Sequence, residues 1–378
     1  MALKHLIAAA ALAWAACATA QQAKTLYVGQ VSPLSGPAAS IGQPVTQATH
    51  AYFRRINQNG GINGYRVELL DRDDGFLPER TMQEVKNLLA DKPLVALVNI
   101  IGAPNNGDLV STGLLDQNKI PVVGAFTGAT SVRARKSPHM YFVRAGVADE
   151  ARKMLAQMGS LGMSRIGLVH ANDAFGKDAR EHVESTLAAQ KRKLVAQASY
   201  EPATIDVAPA VAALRAAEPQ AILIFGTGPA AAKFVVEYRK NGGGAMLVAN
   251  SSTSPDVLAK NAGDEYARGV GLSQAVPSLS KSATIPVIAE YLDTLKRYGD
   301  PQWKPSPYGL EGFLAAKLLA EGMRRAGPTI TRESLGSALA RIGQFNAGGI
   351  TLDYSNGSRE GLKTVDIGIM DRQGRLMN

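Results

Sequence analysis

Beginning at Leu26, short apolar runs alternate with helix-length segments for about 250 residues. A chain with that rhythm winds parallel sheets with helices on both faces. The first unit is sharply drawn. Leu26-Tyr27-Val28-Gly29-Gln30-Val31 reads as a strand. Ser32-Pro33-Leu34-Ser35-Gly36-Pro37 leads through Ile41 and Gly42 into a helix that runs to about Ile56. Asn59-Gly60-Gly61-Ile62-Asn63-Gly64 stops that helix, and residues 66–71 form a second strand. Pro78 opens a helix to about Ala90, with Glu79 in the first turn, where the helix dipole favours an acid. Residues 94–101 are continuously apolar, as a parallel strand buried on both faces requires. Pro104 starts another helix, 120–123 is the next strand, and 141–144 is a short one.

The pattern then restarts. Helices at 149–161, 177–190, 207–217 and 230–241 lead into strands at 165–170, 193–198, 221–225 and 245–249. A strand at 268–273 precedes helices at 286–298, 309–326 and about 332–341, and strands at 350–353 and 365–371 end the chain. No low-complexity linker divides the two halves. With 378 residues the chain is long enough for two cores. The expected architecture is α/β: two Rossmann-like lobes with parallel-sheet cores, joined by three crossovers near 145–149, 274–277 and 352–355. The first lobe would hold residues 24–147 and 276–352, the second 148–275 and 353–378.

Residues 1–20 read as an export signal: Lys4, an apolar run from Leu6 to Cys17, and the small-x-small site Ala18-Thr19-Ala20, with cleavage after Ala20. That run is too short to span a bilayer. Cys17, the chain's single cysteine, is a poor lipidation site because Trp14 stands where lipoproteins prefer a Leu-like residue. Export from the cytoplasm follows. The net charge of +9 is scattered along the chain. Nucleic-acid binding calls for a clustered basic stripe with interleaved aromatics, so no nucleic-acid partner is expected.

Enzyme signatures are missing: no Gly-x-Ser-x-Gly elbow, no phosphate-binding Gly-x4-Gly-Lys-Ser/Thr loop and no His-Glu-x-x-His. Gly226-Thr227-Gly228 lacks the third glycine of a dinucleotide fingerprint. His50, His139, His170 and His182 stand at unrelated spacings, and Asp71-Arg72-Asp73-Asp74 reads as a polar strand-to-helix turn rather than a cation site. No metal, cofactor or covalent chemistry is called for. What remains is a set of loops after strands: 32–42, 102–105, 124–129 and 172–176. Ligands bind at that edge of parallel sheets, where helix N-termini present N–H groups. A cleft there would offer amides and Thr or Asn side chains to a carboxylate, walled by Phe126 and Phe175.

The chain resembles the periplasmic solute-binding proteins of the branched-chain amino acid type, which share the type I periplasmic binding fold and feed ABC importers. The matching residues are Ser32-Pro33-Leu34-Ser35-Gly36-Pro37 with Gly42, the run Ile56 to Gly64, Asp73-Asp74 with Pro78, and Ile120-Pro121. Phe126-Thr127-Gly128-Ala129, Asp173-Ala174-Phe175-Gly176 and Glu311-Gly312-Phe313-Leu314-Ala315-Ala316 complete them. The resemblance implies a ligand trapped between closing lobes and an inner-membrane ABC permease as partner. It also implies contact positions: Asn105 at a helix N-terminus, Ala125-Phe126-Thr127 as the carboxylate loop, Asp149 toward a ligand ammonium, Phe175 as a lid and Tyr308 from the returning first lobe.

Three departures from the family pattern bear on the ligand. Ile41 stands where relatives often carry tyrosine, a second tyrosine position falls near Gly228, and the clamping acid falls at Asn250 or Ser251. A pocket so altered suits an aromatic or aliphatic acid, or an amide, as well as leucine, isoleucine or valine. A sensor subunit of the same fold would carry the same sequence signature.

Overall fold

A computed structural model describes residues 24–36 and 38–377. The export signal at 1–20, Cys17 and Pro37 lie outside the described residues. Two sheets organise the chain. The first contains β1 (Lys24–Ser32), β2 (Tyr65–Asp73), β3 (Leu94–Val98), β4 (Val122–Val123) and β5 (Met140–Tyr141), in the order β2-β1-β3-β4-β5. All of its pairings are parallel.

The second contains β6 (Ile166–Ala171), β7 (Ala196–Tyr200), β8 (Ala221–Phe225), β9 (Met246–Ala249) and β10 (Gly271–Gln274). A short hairpin, β11 (Gln344–Asn346) with β12 (Thr351–Asp353), stands apart. After it, β13 (Asp366–Met370) and β14 (Leu376–Met377) add an antiparallel edge to the second sheet, whose order is β14-β13-β10-β9-β8-β6-β7.

Side-chain alternation explains the layering. Along β8, Ala221, Leu223 and Phe225 pack into one buried cluster while Ile222 and Ile224 pack into another. Each face of the strand is therefore covered by helices, the condition for an all-apolar strand. The first sheet is likewise sandwiched, with Leu94 and Leu97 in one cluster and Val95 and Val98 in the other. Helix Pro307–Arg325, the most buried of the helices, lies against helix Ala39–Gln58. Gly312 permits that approach: a Cβ there would stand 2.7 Å from the Val45 carbonyl oxygen.

Helix Pro255–Ala267 is absent from the sequence-based reading, which runs from one strand directly to the next. Its signals are local. Ser254 caps it by accepting from the Val257 amide, Pro255 opens it, and Asp256 sits in the first turn. The strand expected at 193–198 begins later, at Ala196.

Three passages between the lobes lie side by side, since Ala145, Ala275 and Val365 form one buried cluster. We propose that the third passage falls between Leu362 and Asp366, later than the 352–355 expected. Tyr354 and Leu362 pack in the first lobe's core, and the Tyr354 hydroxyl donates to the Phe142 carbonyl at 3.0 Å. Among the described residues no helix is long and apolar enough to cross a membrane.

Candidate functional site

Loops at the carboxyl ends of strands from both sheets converge on a cavity of about 120 Å³. The first lobe contributes Ile41, Phe76, Ile101, Phe126 and Thr127, and the second contributes Asp173, Phe175, Pro202, Thr227 and Ser252. Arg144, next to the first passage, completes the wall.

Asp73 and Asp74, from the acidic run at 71–74, build this wall. Asp73 accepts from the amides of Leu34, Ser35 and Gly75 and from the Ser35 hydroxyl, stapling the β1 loop to the end of β2. Burial opposes ionisation there, yet these hydrogen bonds win and hold the Asp73 carboxyl down to about 2. Asp74 accepts from the Phe76 amide at 2.8 Å and from the Thr81 hydroxyl at 2.7 Å. Phe76 is thereby held at φ 69°, a strained conformation for a bulky residue that puts its ring in the cavity wall. No pattern in the sequence singles out Phe76; the preceding Gly75 marks only a turn.

The loop after β4 differs from expectation. The Ala125 amide donates to the Tyr141 carbonyl, Phe126 to Ile100 and Thr127 to Ala125. All three amides expected to meet a carboxylate are thus engaged within the protein. The Thr127 hydroxyl is different. Its oxygen accepts from the Ala129 amide at 3.1 Å, which leaves its own hydrogen to donate. Phe126 faces the cavity, and Tyr308 packs edge-on behind it, ring centres 6.2 Å apart. Tyr308 therefore supports the wall without forming it.

Two expected polar contacts are turned away. Asn105 is buried with its amide nitrogen donating to Thr81 Oγ1 at 2.6 Å, because Gly102, at φ 110°, leaves room for the Asn105 side chain to fold back beneath it. Asp149 caps helix Val147–Ser160 by accepting from the Gly146 amide and pairs with Arg152, outside the cavity. The next residue, Glu150, points inward and is fully buried.

Glu150 belongs to a buried charge cluster that composition alone does not reveal. Its carboxylate accepts from the Ser251 amide and hydroxyl, both at 2.8 Å, and from the Ser273 hydroxyl at 2.5 Å. Arg144 donates to the Ser251 hydroxyl and lies 3.7 Å from Glu150 and 3.6 Å from Glu311. Its guanidinium carbon sits 4.7 Å from the Phe126 ring centre, a cation–π contact. Burial pushes the Glu311 carboxyl up to about 7, against the opposing pull of Arg144.

Ser251 thus serves the cluster instead of the cavity, and Asn250, outside the cavity wall, accepts through Oδ1 from the Gly226 amide at 3.1 Å. At Gly228 a Cβ would lie 2.7 Å from Val257 Cγ1, so a larger side chain there would have to displace Val257. Ile41, Phe126, Thr127 and Phe175 stand together at the wall, while Ala125 and Tyr308 lie behind it.

The whole of this layout, two wound sheets with a cavity between their carboxyl ends, agrees with the sequence comparisons. The family described as periplasmic binding protein matches residues 25–365. The chain belongs to the periplasmic binding protein family.

Among solved structures, the substrate-binding periplasmic protein from Ralstonia solanacearum superposes with a TM-score of 0.88 at 37% identity, covering 93% of this chain and 99% of that one. A fatty acid ABC transporter substrate-binding protein from Thermomonospora curvata gives 0.82 at 21% identity, covering 93% and 89%. The amino acid binding protein of Pseudomonas aeruginosa is 21% identical over 314 residues, 80% of this chain and 79% of that protein. As a periplasmic binding protein, the molecule is a transport receptor, not an enzyme.

Proposed function

We propose that this periplasmic binding protein is the extracytoplasmic receptor of an ABC importer for a small, partly apolar carboxylate. It closes its lobes on the ligand and presents the closed surface to an inner-membrane permease. The observation that carries the reading is the cavity itself. Aromatic and aliphatic walls come from both lobes, and one guanidinium, that of Arg144, lines the cavity together with Thr127. A carboxylate meets Arg144 and Thr127, and the apolar remainder packs against Ile41, Phe76, Phe126 and Phe175. The family and the export signal support a periplasmic location.

Asp173 supports an amino acid as ligand. One of its oxygens caps helix Ala174–Ala189 by accepting from the Gly176 amide, and the other suits an ammonium. The absence of an acid at Asn250 and Ser251 supports the rival, an acid with no amino group, and the relatives named for amino acids and for fatty acids fall on both sides. Calorimetry against leucine, isoleucine, valine and phenylalanine, the matching deaminated acids and the matching amides tests the reading. Binding of the amides as tightly as the carboxylates would falsify the Arg144–Thr127 anchor, and no binding by any of them would remove the proposed ligand class.

A further inference from the structure

Behind the passages between the lobes, away from the cavity, lies an open groove of about 730 Å³. Its walls come from the segment just after the Thr127 loop, from the start of helix Val147–Ser160, and from residues 355–363. Five cationic side chains line it: Arg133, Lys136, Arg152, Arg359 and Lys363. Only two carboxylates face them, Asp149 and Glu360. Both are committed, Asp149 to the Gly146 amide and Arg152, Glu360 to an ion pair with Arg133 at 3.7 Å.

Cations crowded into one concavity repel one another, and the field they sum to attracts an anion. Arg133 shows that the groove is built and is not merely a basic patch. Its side chain is 4% exposed, clamped by Nη2 donating to the Thr127 and Arg144 carbonyls at 2.9 and 3.0 Å and by its face over the Phe142 ring. Its Nε and Nη1, together with Nη1 of Arg359, are buried with no hydrogen-bond acceptor among the described residues. Buried guanidinium donors without acceptors are costly unless something supplies oxygens.

We infer that this groove is a second ligand site, which takes a small oxyanion carrying two or more negative charges. The inference is independent of what fills the cavity between the lobes.

The test is a titration of the ligand-free protein with citrate and, separately, with pyrophosphate. It is followed by calorimetry and by melting temperature, with sodium chloride at matched ionic strength as the reference. Saturable binding of one anion per chain is expected. The two arms tell a polycarboxylate site from a phosphate site. Lys136→Gln with Lys363→Gln, both exposed positions, should weaken binding by about tenfold or more and leave the anion-free melting temperature level or higher. Arg359→Gln should weaken it further. A double variant that binds as tightly as the parent overturns the inference. So does stabilisation that chloride reproduces, or, in a parallel sedimentation arm, binding to phosphatidylglycerol vesicles with no response to either free anion, which would make the groove a membrane-facing surface.

Discussion

Thr127 and Glu311 carry the sharpest predictions at the scale of single residues. Thr127→Ala removes a donor from the cavity and one acceptor from the Ala129 amide. Carboxylate affinity should fall by about tenfold, the worth of one hydrogen bond to a charged group, in a calorimetric titration. Unchanged affinity would show that the hydroxyl does not reach the ligand. Glu311 titrates near 7 in the folded protein and at the ordinary carboxylate value when unfolded. The folded state therefore holds the extra proton between these values, and stability falls as pH rises through that window. Glu311→Gln should flatten this slope, gaining on the order of 1–3 kcal/mol relative to the parent at pH 8. Chemical melts of both proteins from pH 5 to pH 8 check this; parallel curves would refute it. Arg144 lies between Glu311 and Glu150 in the cluster, and the substitution alters neither Arg144 nor Glu150.

Elements tell a different story, because a glycine matters only through what approaches it. Gly42 lies in the first turn of helix Ala39–Gln58, and a Cβ there would stand 2.0 Å from the Pro33 carbonyl oxygen. Gly42→Ala must push the β1 loop away and shift Ile41 with it. A loss of about 1–3 kcal/mol is expected in urea melts, together with weaker ligand binding. Gly159, in helix Val147–Ser160, has nothing within 4 Å of its would-be Cβ. Gly159→Ala should instead stabilise by up to about 1 kcal/mol, because alanine loses less backbone entropy in a helix. The two substitutions look alike in sequence, and urea midpoints moving the same way would contradict the close approach of Gly42 to Pro33. Most of the helices and strands were legible because buried strands and covered helices write their periods into the chain. Helix Pro255–Ala267 escaped because its capping residues speak only locally.

At the scale of the whole molecule, the cavity exists only where two lobes meet. A ligand that binds the closed form and not the unfolded chain raises stability by mass action, by about 2.7 kcal/mol at a hundredfold excess over Kd. Thermal melts against the acid and amino acid panel should rank ligands in the same order as calorimetry. A ranking that disagreed would place the stabilising site somewhere other than the cavity. The charge cluster also acts at this scale. Arg144 sits beside the first passage, Glu311 comes from a helix packed on the first sheet, and Glu150 and Ser251 come from the second lobe.

Alternation of apolar runs with helix-length segments determined the wound sheets, and the order of short motifs determined the family. Both are properties of neighbours along the chain, which periodicity and spacing record. Which polar groups face the cavity was decided by tertiary structure. The amides of Ala125 and Phe126 are consumed by remote segments brought alongside them and that of Thr127 by Ala125, Asn105 folds under Gly102, and one step along a helix exchanges Asp149 for Glu150. Arg144, at the end of a short apolar strand, carries no local mark of its role. Its partners lie on segments remote in sequence, and only packing brings their charges within reach of one another.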